Sequence, residues 1–416
     1  MTRRMPMGVA DDPVAVTGIG VILPGAPTLG DYWDVLRGGV SQALELTEEV
    51  GGAAGRTGCE VKTDPTVVLS SRETRRMDRF SHLAVYAGLA AVADAAPDAG
   101  VDRNRCGVIL GVGLNGMDAY HREFQRYLAG ESLHPLFLPL AMPNAAAANL
   151  ALRLGWFGPA VVVNTACASS ANALGDAARL IADGELDLAL AGGAETPLNG
   201  LILTAFAGLG ALSPGNGAPH NACRPFDRDR DGFVMGEGAA CCVLERLSSA
   251  RRRNVRPYAL LVGYGRGGDA HHLVAPRPDG EKARWCMAEA LRDACLAPQD
   301  ISHINTHGTA TKANDLAEAK AIHALFGDTP PPVTAVKGTI GHLIGASGAA
   351  EAVASILTLR HGHIPPTANY VTPDPECAID VVAGPGRPLA PGAVLSNSFA
   401  FGGHNAALVF ASAGED

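Results

Sequence analysis

The sequence predicts a layered α/β fold on three observations. Short β-branched runs that stop at glycine alternate with Ala-rich segments of helical periodicity. The same alternation returns in the second half of the chain. At 416 residues, 47% hydrophobic and 18% charged, the chain is long enough to bury the core of one large α/β domain or two smaller ones. Alternation of this kind implies largely parallel strands.

Residues 14–20 form the first β-branched run, and residues 29–36 follow with a helical pattern, so the pair reads as a strand opening a βα unit. A helix is expected over 82–96, where apolar residues recur at helical spacing, and a buried strand over 108–111. Strand 161–164, Ala-rich helix 171–183 and strand 186–191 come next. A charged break, Arg251-Arg252-Arg253-Asn254, separates the strand-like runs 239–244 and 258–262. The second half continues with strand 303–306, helix 313–325, strand 333–336, helix 346–359 and strands 394–398 and 407–410. The expected division is a flexible N-terminus over 1–12, a first half over 13–253 and a second half over 254–416.

An internal similarity accompanies this division. Asn164-Thr165 and the helix that follows it, from Ala171 to Ala177, lie on Asn305-Thr306 and the segment from Ala313 to Ala319 with a one-residue gap. Two Ala-rich helices resemble one another by composition alone; the alternative is a duplicated βα core whose two equivalent loops face one site.

Composition excludes several function classes. Lys and Arg number 33 against 42 Asp and Glu, a net charge of −9 without a long like-charge block, which argues against nucleic acid as the main partner. No stretch offers about 20 consecutive apolar residues, and Arg3 and Arg4 are not followed by an apolar run, so a soluble cytoplasmic protein without a membrane partner is expected. The nine cysteines are scattered with no Cys-x-x-Cys pair, which points away from a disulfide framework and from a metal site.

Four segments carry residues suited to chemistry. Cys167, in Asn164-Thr165-Ala166-Cys167-Ala168-Ser169-Ser170, falls between a buried strand and a helix, where unpaired N–H groups favour thiolate over thiol; a lone cysteine is otherwise commonly an inert core residue. His307 follows a strand and leads into Gly308-Thr309-Ala310-Thr311, at the kind of strand end where α/β folds gather functional groups. Lys337 and His342 share a glycine-rich loop, Lys337-Gly338-Thr339-Ile340-Gly341-His342, whose spacing is not that of a phosphate-binding loop. Phe401-Gly402-Gly403 is either a plain hairpin turn or a turn whose N–H groups point into a cavity. A nucleophile, two imidazoles, a lysine and backbone donors make the parts list of covalent acyl chemistry.

From Val14 to Phe410 the sequence resembles the β-ketoacyl-[acyl-carrier-protein] synthases of the thiolase-like superfamily, closest to the elongating ketosynthases of fatty-acid and type II polyketide synthesis. The resemblance rests on Thr165-Ala166-Cys167-Ala168-Ser169-Ser170, Thr306-His307-Gly308-Thr309-Ala310-Thr311 and the loop from Lys337 to His342. Ser396 to Gly403, Arg224-Pro225-Phe226-Asp227 and Arg230-Asp231-Gly232-Phe233 extend it. It implies a five-layered αβαβα fold of two duplicated halves and a decarboxylative Claisen condensation without a cofactor. Cys167 would carry the acyl chain as a thioester, with its carbonyl oxygen held by the N–H groups of Cys167 and Phe401. His307 and His342 would support decarboxylation of a malonyl-carrier thioester. Lys337 would bias the histidine pair, and Glu318 would anchor the lysine loop. Thr309 and Thr311 would hold the pantetheine arm, Phe401 would gate the site and Leu114 would line the acyl pocket.

Departures from the family pattern refine the expectation. His404 replaces a hydroxyl residue, Lys312 a proline and Val274 a threonine, and Ala168-Ser169-Ser170 after the nucleophile is closer to polyketide relatives than to housekeeping enzymes. The resemblance thus implies a type II polyketide ketosynthase, of reduced or polyene chains, that pairs with a ketosynthase-like chain-length factor. A homodimeric fatty-acid enzyme, a non-catalytic chain-length factor and a thiolase are the alternatives; the last has a second cysteine in its C-terminal loop, where this chain has none. Acyl carrier protein is the expected partner, docking on Arg72, Arg75, Arg76 and Arg79 unless these pair with neighbours such as Glu73 and Asp78.

Overall fold

The computed structural model describes residues 6–9, 12–48, 50, 55–114, 116–215 and 218–414. Its principal strands are β1 (Val14–Ile22), β2 (Cys106–Gly111), β3 (Ala160–Val163), β4 (Leu188–Glu195), β5 (Gly238–Arg246), β6 (Ala259–Gly268), β7 (Ile301–Asn305), β8 (Val333–Thr334), β9 (Ala393–Ala400) and β10 (His404–Ala411). They lie in the order β3-β2-β4-β5-β1-β6-β10-β9-β7-β8. Adding five to each label in the first run, β3-β2-β4-β5-β1, gives β8-β7-β9-β10-β6, which is the second run read from its outer edge. The two halves share one topology and meet where Val14, Ala15 and Val16 of β1 pair with Leu261, Leu260 and Ala259 of β6.

The principal helices are α1 (Leu29–Gly38), α2 (Arg79–Ala95), α3 (Met117–Leu128), α4 (Ala145–Leu154), α5 (Ser169–Ala182), α6 (Glu281–Ala294), α7 (Lys312–Phe326) and α8 (Ser347–His361). Leu83 and Ala87 of α2 and Leu150 of α4 pack on Val108 and Leu190 of the first half-sheet. Met287 and Ala290 of α6 and Ile322 of α7 pack on Ile304 and Leu395 of the second. Between the two half-sheets, Leu174 and Ala178 of α5 meet Val353 and Leu357 of α8. The layers are therefore α, β, α, β, α, as expected. Small side chains make the middle layer possible: a Cβ on Gly348 would lie 2.7 Å from the Ala171 backbone nitrogen, so only glycine admits this approach of α8 to α5. No helix among the described residues is long and apolar enough to cross a membrane.

Two expectations are corrected. The strands are not largely parallel: within the ten-stranded sheet parallel pairing is confined to β3-β2-β4 and β8-β7-β9, and every pairing from β4 through to β9 is antiparallel. The turn Phe401–Gly403 joins β9 directly to β10, too short for the crossover a parallel pair requires. Of the segment 1–12, expected to be flexible, Met7 is buried against the core and Asp12 accepts hydrogen bonds from Ser248; residues 1–5, 10 and 11 lie outside the described residues. The internal equivalence changes as well. Topology equates β3 with β8, so α5 corresponds to α8 rather than to α7. Composition draws the two Ala-rich helices together; strand order separates them.

Candidate active site

The loop that carries Cys167 grows from the end of β3. Thr165 N–H donates to Ser169 Oγ at 2.9 Å, Ser169 Oγ donates to Ala166 O at 2.6 Å, and Asn172 Nδ2 donates to Thr165 Oγ1 at 2.8 Å. These bonds hold a single tight turn, Ala166–Ala168, in which Ala166 takes φ 50° before α5 begins. A left-handed alanine is costly and persists only where its surroundings over-determine it. The result is Cys167 at the floor of a cavity of about 240 Å³, shared with Phe206, Phe233, His307, Thr309, Thr311, Glu318, His342, Ile344 and Phe401.

Cys167 rests as a thiol, not as the thiolate its helix-start position predicts. Burial pushes it up to about 11, against the opposing pulls of the Lys337 charge and a hydrogen bond from the Phe401 N–H. Desolvation of a thiolate outweighs what one helix start returns. The Phe401 N–H nevertheless reaches the sulfur, and the Phe401 ring stacks on Phe206 with centroids 6.1 Å apart.

The two histidines stand edge to face, ring centroids 5.5 Å apart. Lys337 Nζ lies 3.1 Å from His307 Nδ1 and 2.6 Å from the His307 carbonyl oxygen. An ammonium only donates, so His307 Nδ1 accepts and its proton sits on Nε2. Ile344 N–H reaches His342 Nδ1 at 3.1 Å, with Ser347 Oγ 2.8 Å from the same nitrogen, which fixes the same tautomer there. Burial first, then the Lys337 charge, holds both imidazoles well below the usual histidine range. Each is thus a neutral ring presenting an Nε2–H donor.

Partners from both halves position these rings. His342 N–H donates to Val234 O at 2.7 Å and Gly236 N–H donates to His342 O at 2.9 Å, so the segment after Arg230-Asp231-Gly232-Phe233 splints the second histidine. Phe233 packs edge-on against its ring at 4.9 Å. Arg230 is itself buried between Asp315 and Asp374.

Glu318 does not anchor the lysine loop. Its carboxyl oxygens accept the His307 and Gly308 N–H groups, each at 2.9 Å, and so shape the first histidine loop from α7. Burial pushes this carboxyl up to about 7 against those hydrogen bonds. The partner of Lys337 is Glu351 of α8, and both side chains are buried. Sequence reading missed Glu351, although a single carboxylate in Ala349-Ala350-Glu351-Ala352-Val353-Ala354 of a fully buried helix was a usable signal.

Thr309 and Thr311 line the cavity with their hydroxyl oxygens 2.8 Å apart. Leu114 does not line it; it packs one layer behind, in an apolar cluster with Leu198, Ile202, Phe206, Phe233 and Ile344. Arg79 is not available for docking, because it forms a two-point ion pair with the buried Glu237. Arg72, Arg75 and Arg76 are exposed. The neighbours expected to neutralise them are engaged elsewhere, Glu73 with Arg153 and Asp78 with Arg122.

The pattern of the β-ketoacyl synthase N-terminal domain matches residues 11–250, and that of the C-terminal domain matches residues 258–371. A 3-oxoacyl-[acyl-carrier-protein] synthase 2 of Synechocystis sp. is 42% identical over 95% of this chain and 97% of its own length. The Coxiella burnetii protein of the same name is 38% identical over the same shares. Among solved structures, the ishigamide ketosynthase/chain length factor superposes with a TM-score of 0.89 at 34% identity, covering 97% of this chain and 100% of that one. A ketosynthase in complex with its chain length factor from Xenorhabdus doucetiae gives 0.81 at 29% identity, covering 97% and 98%. With both domain patterns matched in order and the Cys, His, Lys and His loops converging on one cavity, the chain belongs to the β-ketoacyl synthase family of acyltransferases.

Proposed function

We propose that this β-ketoacyl-[acyl-carrier-protein] synthase elongates chains in a type II polyketide system, with Cys167 as nucleophile and His307 and His342 as enolate donors. The observation that carries the roles is the convergence of one thiol, one backbone N–H and two Nε2–H groups on a single cavity. In the first half-reaction Cys167 sulfur, deprotonated, attacks the carbonyl carbon of an acyl-carrier thioester. The oxyanion takes the N–H groups of Cys167 and Phe401, and the pantetheine thiol leaves with the proton. In the second, the bond between the malonyl carboxylate and its α-carbon breaks and carbon dioxide departs. The electron pair moves onto the thioester oxygen, where both Nε2–H groups receive the charge. The enolate carbon then attacks the Cys167 thioester and expels the thiolate, leaving a β-ketoacyl-carrier. No oxidant, metal or cofactor enters this balance. Thr309 and Thr311, which line the cavity, would hold the pantetheine arm.

The assignment to polyketide synthesis is supported by Ala168-Ser169-Ser170 after the nucleophile and by the likeness to the ishigamide ketosynthase/chain length factor. The identity to the Synechocystis synthase favours a fatty-acid role instead. A partner subunit fits either case: β3 is the outer strand of its half-sheet with Val161 exposed, and Tyr120, Phe124, Tyr127 and Leu128 of α3 are exposed as well. Acyl carrier protein, acidic in this family, would dock at Arg72, Arg75 and Arg76. The deciding experiment measures intact mass and elongation by the purified chain, alone and with a ketosynthase-like partner. An acyl adduct on Cys167 with elongation only when the partner is present supports the heterodimeric reading; full elongation by the chain alone overturns it in favour of a self-sufficient homodimer.

A further inference from the structure

Glu195, the last residue of β4, is fully buried and belongs to none of the groups assigned above. Its Oε2 accepts the Gly113 N–H at 2.7 Å and the Gly345 N–H at 3.2 Å, and the Leu114 N–H lies 3.1 Å from each of its oxygens. One carboxylate thus clamps two loops from opposite halves: the segment after β2 and the turn Ile344–Ala346 before α8. The loops also touch directly, since a Cβ on Gly345 would lie 2.3 Å from Gly113 nitrogen and a Cβ on Gly113 would lie 2.9 Å from Ile344 Cγ2.

Each loop leads to a different part of the reaction. On one side Leu114 packs in the apolar cluster behind the cavity wall of Phe206, Phe233 and Ile344. An acyl chain carried on Cys167 would find apolar surroundings in the direction of that cluster. On the other side Ile344 takes φ 47°, a strained value for a β-branched residue, and its N–H is what fixes the tautomer of His342. The strained turn keeps its shape only while its neighbours hold it, and Glu195 holds the very next N–H.

We propose that Glu195 is a positioning residue that couples the Gly113-Leu114 loop, packed behind the cavity wall, to the orientation of His342, so that the bound chain sets the rate of decarboxylation. The proposal rests on the condensation reading above and adds chain-length sensing to it. Replacing one oxygen by an amide group removes the negative charge and leaves a single acceptor for three N–H groups, with a donor beside Leu114 N–H, so the clamp is weakened without emptying the space.

The experiment uses the whole enzyme and three forms: wild type, Glu195→Gln and Glu195→Asp. Two rates are taken for a series of acyl-carrier lengths: acyl loading of Cys167 by intact mass, and carbon dioxide release from malonyl-carrier by the loaded enzyme. In Glu195→Gln, loading is expected within about 3-fold of wild type, while release falls at least ~10-fold and loses its dependence on chain length. Glu195→Asp, which keeps the charge one methylene short, is expected to lie between. Release at the wild-type rate with the wild-type length dependence, or an equal fall in loading and release, overturns the coupling. Should Glu195→Gln fail to fold, Glu195→Asp decides alone: unchanged release and length dependence overturn the proposal, and a selective loss of release supports it. A wild-type enzyme that neither loads Cys167 nor releases carbon dioxide overturns the condensation reading and the coupling with it.

Discussion

The turn Ala166–Ala168 before α5 and the turn Ile344–Ala346 before α8 are the same structure met twice, each opened by a residue at positive φ and each running into a buried central helix on a serine, Ser169 or Ser347. They differ in what occupies the middle position. In the first half it is Cys167, whose side chain opens on the cavity; in the second it is Gly345, whose missing Cβ is where Gly113 nitrogen packs. One backbone thus carries the cavity's cysteine in one half. In the other it holds a histidine in place: Ile344 N–H meets His342, and Ser347 Oγ lies against the same nitrogen. Duplication supplied the geometry, and the side chains at three or four positions decided the chemistry.

The largest effect tests that asymmetry. Cys167→Ala is expected to abolish condensation and uptake of acyl label, and Gly345→Cys placed in that background is expected to restore none of it, because a Cβ there meets backbone at 2.3 Å. Acyl label on the thiol introduced by Gly345→Cys, with turnover, would show the two turns to be interchangeable and break the comparison.

The histidines come next. His307→Ala or His342→Ala is expected to lower carbon dioxide release from malonyl-carrier by about 100-fold while acyl loading of Cys167 remains measurable. Equal loss in both half-reactions would mean that the rings merely hold the cavity open.

The pH dependence separates the two turns again. With the Cys167 thiol pushed up to about 11, the thiolate fraction grows about tenfold per pH unit below that value, so alkylation of Cys167 should rise steeply from neutral to alkaline pH. The histidines are held below their ordinary range, so they stay neutral donors as pH falls from alkaline to neutral and on towards about 6, and carbon dioxide release should be flat over that span. A rising acid limb near the ordinary histidine value of about 6.5 in the release reaction would show an imidazole titrating without the influence of its burial.

The smallest effect lies far from the turns. Reversing charge at Arg75 and Arg76 is expected to slow carrier association several-fold at low salt and to flatten its salt dependence, with rates on small pantetheine thioesters unchanged. Stopped-flow binding at two ionic strengths checks it; unchanged association would move docking to another surface.

Legibility followed the kind of force at work. Strands such as β1 and the helices α2, α5 and α8 were visible because burial on both sides leaves long apolar or Ala-rich runs between glycines. Cys167, His307, Lys337 and His342 were visible because reactive groups stand out among small residues. Glu351 and Glu195 were passed over because each is one acidic residue whose partner is more than a dozen positions away in sequence or in the other half. Arg79 looked like its basic neighbours until Glu237, 158 residues later, claimed it.

The alternation of elements, the family motifs and the reactive side chains are local patterns of side-chain size, polarity and spacing, and the amino-acid order alone carries them. The rest came from contacts across the fold. It equated α5 with α8, ran the middle strands antiparallel, gave Lys337 to Glu351 and Glu318 to the His307 loop, and kept Cys167 a thiol. Each of these depends on which distant groups share one dry interior. There the cost of an unpaired charge is several kcal/mol, so the partners are chosen by proximity in space and not along the chain.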